Sequence, residues 1–313
     1  MDITDRIHCD NIVICDKDEI KRLKAAAMEQ PLISKRFMQK FPLNYRKDPT
    51  DKNDYKFKNS IIDVRQTLDT LPTMVDHSSK MGSVKNQGNL GSCVGFAVTA
   101  MKEWQETIEH LNEVEGGKTD TRKGKEYDLS ESWVYWKSKE IDPWPGEEGT
   151  SIRYAMQVLQ KIGVPTESGW PYNDVNDINF SKPKNWAKLI AKWSLIDKYW
   201  RINNLTELKA ALINGPVPIG IPCFYEIFFV GNDGLVPYPE KPDEVFGGHA
   251  ICAVGYDNRT KLIKFKNSWG KDWGKNGYGF LPYKYIVDFL WDAWTCSDLS
   301  VTQEMLKGMR ELT

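Results

Sequence analysis

The sequence predicts an α+β fold in which a helical half is followed by a sheet-rich half, with a cleft where the two meet. Three observations carry this expectation. The chain has 313 residues, roughly two units of ~150 and enough to bury a sizeable core. Apolar residues recur at helical spacing between Phe96 and Lys161, and from about Trp193 short β-rich runs separated by Gly, Asn and Asp replace them.

In chain order, residues 1–70 read as a separate appendage. Asp16 or Asp18 can cap a helix reaching about Met28, and Lys35 to Lys58 is polar and Lys-rich, with Pro42 and Pro49. Leu71 to Lys85 is an irregular approach. Ser92 is the expected N-cap of a helix whose apolar positions are Phe96, Ala97, Ala100, Met101, Trp104, Ile108 and Leu111. Gly116 to Glu126 reads as a surface loop, and Ser130 to Lys139 and Ser151 to Lys161 read as shorter helices, the second headed by Thr150 or Ser151 as cap. Strands are expected at Val217 to Ile221, His249 to Tyr256, Leu262 to Ser268 and Tyr278 to Pro282.

Composition removes several function classes. Forty-two basic and 43 acidic residues leave a net charge of −1, too little field to gather nucleic acid or an anionic membrane. No apolar run approaches the ~18 to 20 residues of a membrane span, and residues 1–20 lack the features of a secretory signal. Cys9, Cys15, Cys93, Cys223, Cys252 and Cys296 are unevenly spaced without a CxxC or a Cys/His knot, so no metal or organic cofactor is implied. The cytoplasm or another reducing compartment is the expected habitat, with secretion or particle packaging by another route as the alternative.

Chemistry concentrates around one cysteine. The loop Gln87-Gly88-Asn89-Leu90-Gly91-Ser92 delivers Cys93 to the first turn of a buried helix, where free amides and the helix dipole favour thiolate, the nucleophilic form. A lone Cys is more often a small core residue, so the choice falls to its partners. A base is needed, and the chain has four histidines. His8 and His77 lie in polar approach segments, and His110 is about five turns along the Cys93 helix, which leaves His249. A hairpin turning near residue 258 with an odd-numbered loop sets Asn267 opposite His249, where its amide oxygen can orient the imidazole. Gln87 and the Cys93 amide can supply N–H donors to a developing oxyanion.

These stretches together resemble the papain and cathepsin family of cysteine peptidases, in a microbial or viral form lacking the usual disulfides. Over about residues 71–285 the family's order is kept: Val84-Lys85-Asn86-Gln87-Gly88, Gly91-Ser92-Cys93, Leu129-Ser130-Glu131, Gly247-Gly248-His249-Ala250, Lys266-Asn267-Ser268-Trp269-Gly270 and Gly277-Tyr278-Gly279. The resemblance implies a helical lobe over about 84–190 and a β-barrel-like lobe over about 191–313. It assigns Cys93 as nucleophile, His249 as base and acid, Asn267 as orienter, Gln87 to the oxyanion hole and Trp269 as a shield over the His–Asn bond. Gly149 and Thr150 are implied to bond the substrate backbone. Ser151, Ile152, Gly220, Gly247 and Ala250 are implied to line the S2 pocket, which takes the substrate's P2 side chain, and Gly248 to bind substrate beside them.

Four departures stand out. Thr150 replaces a glycine of the family pair, and Leu90 and Lys137 stand where a disulfide is usual. Val94 replaces the tryptophan after the nucleophile, and His249 and Asn267 follow Cys93 by 156 and 174 residues, which points to grown loops, Gly116 to Glu126 first among them. The expected activity is endopeptidic hydrolysis of polypeptides through a thioester acyl-enzyme. The competing readings are a Cys-dependent amidase or acyltransferase and a non-catalytic scaffold on the same fold. Residues 1–70 are read as an inhibitory segment that contacts the cleft in a zymogen, against a packed extension or a partner-docking arm.

Overall fold

The structure is a computed structural model that describes residues 41–57, 71–177 and 181–298. Its elements are β1 (Met74–Asp76), α1 (Cys93–Glu115), α2 (Glu131–Lys139), α3 (Ile152–Lys161), α4 (Ala187–Ala191), β2 (Ile196–Ile202), α5 (Leu205–Leu212), β3 (Val217–Cys223), β4 (Gly247–Asp257), β5 (Leu262–Lys266), β6 (Tyr278–Pro282), α6 (Tyr283–Phe289) and β7 (Asp292–Asp298). The helical-then-sheet order is the α+β arrangement expected. The sheet-rich lobe is one open seven-stranded sheet in the order β2-β7-β3-β4-β5-β6, with β1 also paired to β4 and every pairing antiparallel. The expected helix ending near Met28 and the cysteines at 9 and 15 fall outside the described residues.

Strand β4 is the hinge between two cores because successive side chains of a strand face opposite ways. Ile251 and Ala253 join the core made with α5, α6 and the aromatic Phe224, Phe265 and Trp273. Ala250, Cys252 and Val254 face the other way, into the core of α1, α2 and α3 with Trp133, Met156 and Trp170. The long helix α1 therefore packs on the back of the sheet, which brings its first residue to the start of β4.

Two caps differ from expectation in mechanism. Ser92 and Ser151 occupy the N-cap positions of α1 and α3 but neither side chain caps; Ser92 Oγ bonds the Tyr172 hydroxyl at 2.6 Å and Ser151 Oγ bonds Asp48. Ser130 caps conventionally, accepting from Trp133 N at 3.1 Å, as Asn204 does for α5, accepting from Glu207 N at 2.9 Å. Residues 74–76, read as irregular, form an edge strand, and β2 and β7 emerge beyond the four strands expected. Among the described residues Cys93, Cys223, Cys252 and Cys296 are free thiols, and Leu90 lies in the helical core.

Trp294 on β7 is fully buried and lies under both Arg153 and Arg201, whose guanidinium carbons stand 5.1 and 5.4 Å from its ring. Its indole N–H bonds Asp48 at 2.8 Å. Trp294→Ala would leave a large cavity under two arginines and is expected to cost about 3–5 kcal/mol, read as a lower urea midpoint at unchanged slope.

Candidate active site

The loop before α1 is fixed by buried charge. The Lys85 ammonium meets Glu103 of α1 at 3.0 Å and Glu131 of α2 at 2.7 Å, tying the Val-Lys-Asn-Gln and Leu-Ser-Glu stretches together. Backbone bonds run from Gln87 N to Ser268 O (2.8 Å) and from Gly270 N to Lys85 O (3.1 Å), so the same loop is stitched to the segment carrying Asn267. Gly88 turns it with φ +58°, a conformation in which an added Cβ would also strike Asp174. Gln87 is fully buried: its Nε2 donates to Leu90 O at 2.9 Å and its Oε1 accepts from Ser268 Oγ at 2.6 Å. A primary amide has two N–H groups, so one remains after the bond to Leu90.

Cys93 begins α1, and its sulfur accepts from the backbone N–H of Ala250 at 3.4 Å, which sets the thiol beside the residue that follows His249. His249 Nε2 and Asn267 Oδ1 are 2.8 Å apart, and the amide oxygen also accepts from Ser268 N at 2.8 Å. With that oxygen as acceptor, Nε2 carries the proton and Nδ1 is left as a bare lone pair; Nδ1 is buried and has no partner. Trp269 stacks on the imidazole with centroids 4.4 Å apart and planes 22° apart. The structure thus brings Cys93, His249, Asn267, Gln87 and Trp269 into one cluster.

The route by which His249 and Asn267 meet differs from the one expected. The hairpin loop holds four residues rather than an odd number, with Asp257 paired to Leu262, and that register would turn the two side chains to opposite faces. A bulge between Ala253 and Gly255 shifts the ladder so that Cys252 pairs Lys266, and this puts His249 and Asn267 on one face. The two are not direct cross-strand partners.

A second correction concerns charge. Helix position alone favours thiolate, but Cys93 and His249 are both fully buried. Burial pushes the thiol up to about 12, against the pull of the Ala250, Val94 and Cys93 amides, and lowers the imidazole to about 4, against its bond to Asn267. Both groups are therefore neutral at pH 7.

Residues 41–57, part of the stretch read from sequence as polar, lie along the groove beside them. This strap runs over the site. Its Tyr45 N–H bonds Gly248 O at 2.9 Å, Arg46 N–H bonds Thr150 O at 3.0 Å, and Asn44 bridges Gly248 in a parallel sense. An added Cβ would lie 1.7 Å from Asn44 O at Gly149, 2.6 Å from Leu43 O at Gly247 and 2.4 Å from Tyr45 O at Gly248. These glycines are thus where strap backbone touches groove backbone. Thr150 contributes its carbonyl, which explains why a side chain is tolerated there.

Phe41 packs on Trp269 at 4.8 Å, and farther along Arg153 and Arg201 both pair with Asp54. Of the groove residues expected, Ile152 is fully buried in the helical core, Ser151 is engaged by Asp48, and Gly220 lies under the Tyr45 ring. Sequence reasoning missed Tyr45, Asp48 and Asp292. The signal was there for one of them: Phe41, Leu43 and Tyr45 alternate at the period of a strand.

Comparison with known proteins bears on the family and the fold. Residues 71–284 match the model of the papain family of cysteine proteases. An uncharacterised peptidase C1-like protein of Acanthamoeba polyphaga mimivirus is 30% identical over 74% of this chain and 72% of its own, and cysteine proteinase 1 of Entamoeba histolytica is 31% identical over 69% of this chain and 65% of its own. Among solved structures, xylellain, a cysteine protease from Xylella fastidiosa, superposes with TM-score 0.69 at 27% identity, covering 84% of this chain and 98% of that one. The fold and the cysteine-centred cleft thus define a peptide-bond hydrolase. The chain belongs to the papain family of cysteine proteases.

Proposed function

We propose that the chain is a latent endopeptidase that cleaves polypeptides with a Cys93–His249–Asn267 triad while residues 41–57 hold the groove closed. The observation that carries the reading is the imidazole, gripped at Nε2 by Asn267 and bare at Nδ1, with the Cys93 sulfur against the next residue's amide. With the groove open, Nδ1 takes the thiol proton as Cys93 Sγ attacks the peptide carbonyl carbon. The C=O pair moves onto oxygen, which meets the Cys93 amide and the remaining Gln87 N–H. Collapse expels the amine, protonated by His249, and leaves a thioester. Water, deprotonated by His249, then releases the acid and the free thiol.

Substrate backbone would take over the partners the strap now holds, Gly248 and Thr150, with Gly149, Gly247 and Gly220 leaving room for it, Ser151, Ile152 and Ala250 forming the walls and Trp269 keeping water from the His249–Asn267 bond. Occupation of those carbonyls by strap amides favours an inhibitory role for the appendage over a packed extension or docking arm.

The test is labelling with a thiol-directed epoxide of the full chain and of a chain cut after folding at a site-specific endopeptidase sequence introduced within residues 58–70. The cut chain, freed of the strap, is expected to gain one inhibitor mass on Cys93 and to hydrolyse unfolded protein. A freed chain whose Cys93 stays unmodified while the fold persists would establish the scaffold reading instead.

A further inference from the structure

Helix α4 is amphipathic in an inverted sense: its small residues face inward and its large apolar neighbours face out. Ala187 and Ala191, one turn apart, are fully buried in the helical core. Gly163, at φ +71°, seats the helix so closely that an added Cβ would lie 1.9 Å from the Ala191 carbonyl oxygen. Away from this seat stand Trp186, Leu189 and Trp193, exposed by 41%, 41% and 47%. Trp186 is the N-cap and already has helical backbone angles, and Trp193 lies in the 3-10 turn Lys192–Ser194 that continues the helix. A spacing of i, i+3 and i+7 sets the three on one stripe. Single exposed apolar residues are ordinary, whereas three on one stripe, two of them tryptophan, make a patch.

The same segment is basic. Residues 182–193 hold Lys182, Lys184, Lys188 and Lys192 and no acidic residue, a local excess that the whole-chain balance of −1 conceals. All four lysines are exposed. Lys137 and Lys139 of α2 pair with Glu140 and Asp142, but among the described residues Lys184, Lys188 and Lys192 form no ion pair, and Lys184 Nζ stands 5.5 Å from the Trp186 ring. Three cations thus border the apolar stripe with their charge uncompensated.

We propose that Trp186, Leu189 and Trp193, with Lys184, Lys188 and Lys192 beside them, dock the protein peripherally on an anionic phospholipid surface. Charge complementarity and side-chain chemistry select this occupant. An indole settles at the boundary between headgroups and acyl chains, and a lysine stem lies along that boundary while its ammonium reaches the phosphates. Tryptophan and leucine on one stripe, with lysine as the only charged residue around them, is the composition of a helix that lies in a bilayer surface rather than across it. Among the described residues no helix is long and apolar enough to cross a membrane. A stripe of three side chains gives reversible attachment. The inference stands apart from the peptidase reading.

The experiment sediments the full chain with vesicles of phosphatidylcholine alone and of an equal mixture of phosphatidylcholine and phosphatidylserine, at low ionic strength. Binding to the mixed vesicles is expected to be about 10²-fold tighter, since each of three lysines gains from the anionic headgroups, and to weaken as salt is added. Trp186→Ser/Trp193→Ser is expected to bind about tenfold or more weakly while keeping the salt dependence, and Lys188→Glu/Lys192→Glu to lose the preference for the mixed vesicles. Mixed vesicles with brominated acyl chains are expected to quench part of the tryptophan fluorescence of the full chain and none of that of the double tryptophan variant. No binding of the full chain to either vesicle, or folded variants that bind as the wild type does, would overturn the proposal. Self-association without lipid binding, lost in Trp193→Ser, would overturn it in favour of a second copy as the occupant. Should a variant fail to fold by circular dichroism, the wild-type lipid preference and quenching decide alone. Epoxide labelling of Cys93 tests the peptidase reading separately, so either can fail without the other.

Discussion

Freeing the groove of residues 41–57 is expected to raise kcat/KM on peptides by roughly 10² to 10⁴. The gain is set by the contacts the strap gives up on release. Burial of the Tyr45 ring contributes about 1.5–3 kcal/mol by analogy with other large side chains. The bonds to Gly248, Thr150, Asp292, Ser151 and Trp294 each contribute about 1 kcal/mol net. Ordering of the segment opposes these, and a rise of 10² to 10⁴ corresponds to a net closure free energy of roughly 3–6 kcal/mol and an open fraction of about 10⁻² to 10⁻⁴. The comparison is between cut and uncut chains of the same preparation, with epoxide labelling of Cys93 as the second readout.

The pH response separates the two states. In the uncut chain, burial pushes the thiol up to about 12 and the imidazole down to about 4, so little thiolate is present from pH 5 to 9 and labelling is slow throughout. Opening readmits water, removes the cause of both shifts and lets the amides at the head of α1 favour thiolate, so labelling of the cut chain is faster throughout that range. The uncut double variant Tyr45→Gly/Asp48→Asn, which weakens the strap without removing it, is expected to gain about tenfold. Equal rates and equal labelling in cut and uncut chains would mean the strap is a structural extension.

What the sequence displayed and what it hid follow from how local each feature is. Helix α1 was legible because its apolar period and the glycine-bearing loop before it are local, and Cys93 is fixed by that helix start. His249 was legible by elimination. The pairing of His249 with Asn267 was right, yet it depends on a bulge at residue 254 that leaves no mark in a run of small apolar residues, so the register could not be read.

Strand β7 escaped because Asp292, Ser297 and Asp298 break its β-like composition; it is held by pairing with β2 and β3 instead. The Asp48–Asp292 contact joins residues far apart in the chain through the Asp48 backbone N–H and the Asp292 carboxyl, burial raises both carboxyls above the usual range, and no local pattern announces it. The strap was half legible: alternating Phe41, Leu43 and Tyr45 predict an extended segment with one apolar face, but only the fold shows that this face lies on the groove.

A graded loss across the triad is the second large effect expected, and the grading matters more than any single value. In the freed chain Cys93→Ala removes the atom that forms the thioester, so kcat/KM is expected to fall by about 10⁴ or more. His249→Ala leaves the thiol without an acceptor for its proton and a leaving amine without a donor, a loss of comparable size because the two groups act as a unit. The double variant should therefore be little worse than either single one.

Asn267→Ala is different. Asn267 touches neither the scissile bond nor the sulfur; it fixes the tautomer and orientation of the imidazole through one bond at 2.8 Å. Trp269 still stacks on the ring, so much of the orientation survives and a fall of about 10- to 10³-fold is expected, mainly in kcat. Loss of the amide acceptor also removes the one bond that raises the imidazole, so the acid limb of the pH profile should move to lower pH. If instead the three single variants lost activity equally and the double variant lost the product of both, the residues would be acting independently, and the cluster would owe its effects to folding rather than to a shared proton path.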